Sequence, residues 1–129
     1  MLPTVSEIVH IFCTSEDINN LSYALTIRGA VEQVWLPAAR GLVEDLAAMA
    51  HEHADAAMLA RTHGQPATPT TLGKEMAVLA HRLRRQVRRV EATEYLGKIN
   101  GATGTFGAHV VSVPGADWQA VGLSLIHIS

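Results

Sequence analysis

From Pro69 to Leu96 the chain carries one apolar stripe at helical spacing: Leu72, Met76, Leu79, Ala80, Leu83, Val87 and Val90. The spacing predicts a helix over roughly this whole stretch, about 40 Å long at 1.5 Å per residue. Thr68 before Pro69 reads as its N-cap and first residue, and Gly97 as its stop. A stripe of that length must be covered by other apolar surface. Composition points to helix as the covering partner. Of 129 residues, 48% are apolar but only 5% aromatic, and the chain counts nineteen alanines. Many Ala and Leu, few aromatics and long proline-free runs favour an all-α fold.

A second helical stretch is expected from about Thr14 to Asp55. Thr14 followed three residues later by Asp17 has the outline of a capping box, and Glu16 and Asp17 suit the positive end of a helix dipole. Ile18, Leu21, Ala24 and Leu25 mark one face, continued less regularly by Val31, Val34 and Trp35. Pro37 either opens a second helix or kinks a long one, and Leu42, Val43, Leu46, Met49 and Ala50 carry the face onward. Between the two helical stretches, Met58-Leu59-Ala60 reads as a short buried stretch and Arg61 to Pro69 as a polar loop. Gly97, Gly101, Gly104 and Gly107 then punctuate small and β-branched residues. They match no phosphate-loop pattern and read as turns or close backbone packing.

Several classes are excluded. One cysteine, Cys13, forms no internal disulfide, so a disulfide-stapled secreted scaffold is out. No run of about 18 apolar residues exists and the first residues lack the order of a signal peptide, so the expected setting is cytoplasmic, without membrane contact. A net charge of −2 argues against nucleic acid as a partner. Arg82, Arg84, Arg85, Arg88 and Arg89 form a basic run, but no aromatic residues interleave them. The run reads as a solvated face or as ion pairs with Glu75, Glu91, Glu94 or another chain. His51 and His53 point about 200° apart on a helix and do not converge on one ion, so neither metal nor cofactor is expected.

Two places carry chemistry on local grounds. Thr14 and Ser15 at a helix start combine hydroxyls, free N–H groups and the dipole's positive end, which suits a carboxylate or phosphate; plain capping explains them equally well. His63, followed by Gly64 and flanked by Thr62 and Gln65, stands in a polar loop. Imidazole exchanges protons near neutral pH, and both neighbours donate hydrogen bonds to an anion.

The block Glu7 to Asn20, with Cys13-Thr14-Ser15-Glu16-Asp17-Ile18-Asn19-Asn20 at its end, resembles the bacterial adenylosuccinate lyase branch of the fumarase/aspartase superfamily. Arg61-Thr62-His63-Gly64-Gln65-Pro66 through Met76 is a second such block, and Leu96 to Gly104 a third. Ala108-His109 and Asp117-Trp118 follow in order, so the likeness runs from about Ser6 to Val121. The resemblance implies part of a central long-helix bundle, a β-elimination that releases fumarate from a succinylated purine nucleotide, and a homotetramer when full length. It implies His63 as the acid that protonates the departing nitrogen. Thr14, Ser15 and His10 are implied as substrate contacts, with Thr62 and Gln65 holding the succinyl group.

The family's loop Ser-Ser-x-Met-Pro-x-Lys-x-Asn, which supplies the serine base, does not occur in these 129 residues. The chain is accordingly expected to be an internal fragment over residues 1–121, inactive alone, with residues 122–129 a truncated or foreign tail. The rival readings are a sister lyase acting on argininosuccinate or aspartate, and a helical module binding nucleic acid through the arginine run.

Overall fold

A computed structural model describes residues 11–126. Two compact units divide the chain. Ala30–Thr93 forms one, and the residues through Gly29 together with those from Glu94 onward form the other.

In the Ala30–Thr93 unit, a five-residue π-helical turn, Val31–Trp35, leads into helix α2, Leu36–Glu52, with Pro37 in its first turn. Trp35 and Leu36 are both right-handed helical and Leu36 N–H donates to the Val31 carbonyl, so helical backbone runs through the π-turn into α2 without a free start. Pro37, which cannot donate to the helical ladder, thus coincides with a π irregularity in continuing helix, and of the two sequence readings it does not open a separate helix. Helix α3, Leu72–Glu91, packs on α2. Leu36, Val43 and Val87 form the core, with Val31, Ala39, Leu83 and Val90 against it. Gly73 brings the start of α3 onto the end of α2. A Cβ there would lie 2.7 Å from both Ala54 N and Cα, and closer still to the Ala50 carbonyl.

Four sequence expectations are corrected here. The fold is mostly helical but not all-α, because residues 57–71 form a β-hairpin. Strand β1, Ala57–Thr62, pairs antiparallel with β2, Gln65–Thr71. Met58 and Leu59, read as buried, are exposed on β1, with a register shift between Leu59 and Arg61. Pro66 and Pro69, which suggested a loop, lie within β2. Both strands of a two-stranded sheet are edges, where proline is tolerated. Pairing of residues 65–71 also moves the start of α3. Its N-cap is Thr71, whose hydroxyl accepts from Lys74 N–H at 3.2 Å, and not Thr68.

Helix α3 also ends earlier than expected. Ala92 caps it, and the Thr93 hydroxyl donates to the Arg89 carbonyl at 3.1 Å. Beyond it Lys98 N–H donates to Asn20 Oδ1 (2.7 Å) and Asn100 N–H to Asp17 Oδ1 (3.2 Å).

The other unit contains helix α1, Ser15–Ala30, then the irregular segment from residue 94, helix α4, Gly107–Ser112, and helix α5, Trp118–Ile126. Asn20 fastens the irregular segment to α1. Besides accepting from Lys98 N–H, its amide donates to the Lys98 carbonyl at 3.0 Å. Gly97 lies against Leu21 where a side chain would collide with it. Phe12, Phe106 and Trp118 surround the buried His109 ring, with centroids 4.9–5.9 Å from it. The reading of the glycines as turns and close contacts holds at Gly97, Gly101 and Gly104, the last two at positive φ.

Candidate active site

The residues singled out in the sequence fall into two groups, one in each unit. In the first, Thr62 pairs with Gln65 at the hairpin end, leaving His63 and Gly64 as a two-residue turn. Both have positive φ, 49° and 77°. Two successive left-handed residues are the signature of the type I′ turn, whose twist matches that of the flanking strands. Glycine at the second position carries no Cβ penalty, so the strain rests on His63. The hairpin thus brings Thr62, His63 and Gln65 together, all exposed at its tip. His63 makes no hydrogen bond or ion pair among the described residues. The turn fixes where its side chain leaves the backbone, and the residue is exposed.

The second group stands at the start of α1. Thr14 N–H donates to Asp17 Oδ2 at 3.1 Å, one arm of the expected capping box. Thr14 is half-buried and Ser15 exposed, and neither hydroxyl is hydrogen-bonded among the described residues. His10 lies outside the described residues.

Asp17 goes well beyond its expected role as a cap. Its carboxylate is fully buried, and besides Thr14 it accepts from Asn100 N–H and Gly101 N–H at 3.2 Å and from Lys98 Nζ at 3.1 Å. Burial pushes this carboxyl group up, but the bonds from Thr14, Lys98 and Asn100 outweigh it and hold Asp17 below its ordinary value. A buried acid surrounded by donors stays ionised. Sequence reasoning singled out Thr14 to Asp17 and the block from Leu96 to Gly104, but nothing local joins them.

Among the described residues no group of three or more His, Cys, Asp or Glu side chains is placed to hold a metal ion. The arginine run lies exposed along α3. Glu91, one of its expected partners, pairs instead with Arg40 at 2.7 Å. Glu75 pairs with Lys74, whose hydrogen bond and charge hold the Glu75 carboxyl below its ordinary value.

Residues 1–127 match the protein family described as "Lyase". The chain is 51% identical to the adenylosuccinate lyase of Escherichia coli (strain K12) over 118 residues, which is 92% of this chain and 26% of that protein. It is 49% identical to the adenylosuccinate lyase of Haemophilus influenzae over the same shares of each. Among solved structures, a fumarate lyase from Mesorhizobium sp. BNC1 is similar, with a TM-score of 0.70 and 31% identity over 74% of this chain and 23% of that one. So is the 3-carboxy-cis,cis-muconate lactonizing enzyme from Pseudomonas putida, with a TM-score of 0.73 and 28% identity over 81% and 24%. The chain spans about a quarter of the length of the curated relatives it matches.

Proposed function

The chain belongs to this lyase family, within the fumarase/aspartase superfamily, and on that premise we propose that it is a segment of an adenylosuccinate lyase. The proposed reaction releases fumarate from adenylosuccinate to leave AMP, and from succinyl-carboxamide ribotide to leave its amide. One observation carries the reading: the 51% identity to the Escherichia coli adenylosuccinate lyase over 92% of the chain. Identity to the fumarate lyase and the muconate enzyme is 31% and 28% over less of it. That difference favours the purine substrate over a sister chemistry.

In this reading a base takes a proton from the succinyl Cβ, the C–H electron pair becomes the new double bond, and the C–N pair leaves on nitrogen. His63 donates the proton that neutralises that nitrogen. Its position at the tip of a type I′ turn supports this role, because the residue is exposed there, open to substrate bound outside the hairpin. Thr62 and Gln65 hold the succinyl group beside it. Thr14 and Ser15 bind an anionic part of the substrate with their hydroxyls, and His10 assists. The base belongs to the family loop that is not among these 129 residues, so this chain by itself has half of a proton-transfer system.

We further infer that α2 and α3 form part of the family's central helix bundle in a homotetramer. Their exposed apolar side chains support this: Leu42 and Leu79 are 52% and 43% exposed. Among the described residues no helix is long and apolar enough to cross a membrane.

Fumarate release by the full-length protein tests the reading, with adenylosuccinate, argininosuccinate and aspartate offered in parallel. Adenylosuccinate is expected to be the substrate. His63→Asn is the informative variant, since Asn suits a left-handed turn position and preserves the hairpin. It should lower kcat by about 10²–10⁴-fold, the usual scale for loss of a general acid, with little change in KM. Unchanged kcat would remove His63 from the mechanism.

A further inference from the structure

We infer that Asp17 is a positioning residue for the reaction, holding the substrate-contacting start of α1 to the Lys98–Gly101 turn through its buried carboxylate. The inference rests on the reading of Thr14 and Ser15 as substrate contacts and extends it to a residue that touches no substrate.

The acid is placed for more than capping. A capping-box carboxylate needs to reach only the first N–H of its own helix, and it does so as well from the surface as from the interior. Asp17 is instead fully buried, a costly place for a charge unless it is well paired. The pairing comes from far along the chain. Lys98 Nζ, Asn100 N–H and Gly101 N–H reach it across 81, 83 and 84 residues. Lys98 also donates to the Gly101 carbonyl at 2.8 Å, closing the turn on itself.

Two successive backbone N–H groups, those of Asn100 and Gly101, converge on the one carboxylate as an anion-binding nest. Gly101 sits at φ +81°, a backbone conformation that suits glycine. It also leaves room for the buried His109 ring, whose Cε1 would stand 3.1 Å from a Cβ at this position.

The consequence falls on Thr14 and Ser15. The first turn of a helix is where fraying concentrates. At the start of α1 that turn is tied by Thr14 N–H to the same carboxylate that holds the 98–101 backbone. Loosening Asp17 frees the two hydroxyls to wander while leaving them chemically intact. Substrate binding weakens, and the bond-breaking step, which lies with His63 and the base, does not. Such loss of binding common to ground and transition states raises KM and spares kcat.

The test compares Asp17→Asn with Val43→Ala in the full-length protein. The second variant destabilises a core that contains none of the site residues and serves as the measure of a purely structural loss. Asp17→Asn should raise KM for adenylosuccinate about tenfold, on the scale of one hydrogen bond to a charged group, with kcat changed by less than about threefold. Val43→Ala should leave KM where it was.

Should Asp17→Asn fail to fold, Gly101→Ala decides, since it pushes the turn away from an intact carboxylate and should raise KM in the same way. An unchanged KM in the deciding variant, or an equal rise in Val43→Ala, overturns the inference. Failure of the underlying reading looks different. There the unmodified protein releases no fumarate from adenylosuccinate, or Thr14→Ala and Ser15→Ala leave KM unchanged.

Discussion

Gly73→Ala and Gly41→Ala are the same chemical change in two helices of one unit, and the structure gives them opposite signs. At Gly73 a Cβ would stand 2.7 Å from the Ala54 backbone, about 0.7 Å short of ordinary contact at 3.4 Å, and closer still to the Ala50 carbonyl. Both neighbours are backbone and cannot turn aside as a side chain would. Overpacking of this kind costs about 1–3 kcal/mol. The helical preference of alanine returns at most about 0.5–1 kcal/mol. A net loss of up to about 2.5 kcal/mol results for Gly73→Ala. At Gly41 nothing beyond the helix's own backbone lies within 4 Å of the added methyl, so only the gain of about 0.5–1 kcal/mol remains. Urea unfolding followed by far-ultraviolet circular dichroism measures both. The midpoints should move in opposite directions with the slope unchanged. A Gly73→Ala protein as stable as Gly41→Ala would refute the close contact between α2 and α3.

Leu36→Ala removes a buried side chain from the three-residue core of this unit and should cost about 2–5 kcal/mol in the same assay. Gly64→Ala meets open space but must adopt φ near +77°, so it should lose about 1 kcal/mol through backbone strain alone, read as a lower melting temperature. Asp17 gives a pH signature. Its folded value lies below the ordinary 3.8, so its stabilising contribution is present above that value and lost as pH falls through the folded one. Unfolding midpoints of the unmodified protein and Asp17→Asn should therefore converge in acid below pH 3.8 and stay apart at neutral pH. A constant gap across that range would contradict the ionised, donor-held carboxylate.

The apolar stripe of α3 was legible because helical periodicity is a local property. Ala80 and Val87 are buried and Leu83 and Val90 half-buried, whereas Leu79 of the same stripe is exposed. The hairpin was not, because two prolines and a run of polar residues resemble a loop wherever the strand is an open edge. The usable signal was the pair His63-Gly64, a two-residue turn with glycine second, set between segments of six and seven residues. For the candidate site, the sequence marked the hairpin-tip residues and the start of α1 through the family blocks. The role of Asp17 was half legible. Its bond to Thr14 follows from a three-residue spacing, whereas those to residues 98–101 depend on chain segments whose meeting no local pattern encodes.

The base of the hairpin is closed twice. Leu72 N–H donates to the Ala56 carbonyl and Gly73 N–H to the His53 carbonyl, each at 2.9 Å, so the cap and turn that follow α2 satisfy the first orphan donors of α3. Residues 58–70 therefore lie between two closing bonds that are made by backbone outside them, with the Thr71 cap of α3 left beyond their end. Replacements between Met58 and Thr70 are expected to leave these bonds and the α2–α3 contact in place. A lineage of proteins built on this frame is free to alter the chemistry at the tip without remaking the support beneath it.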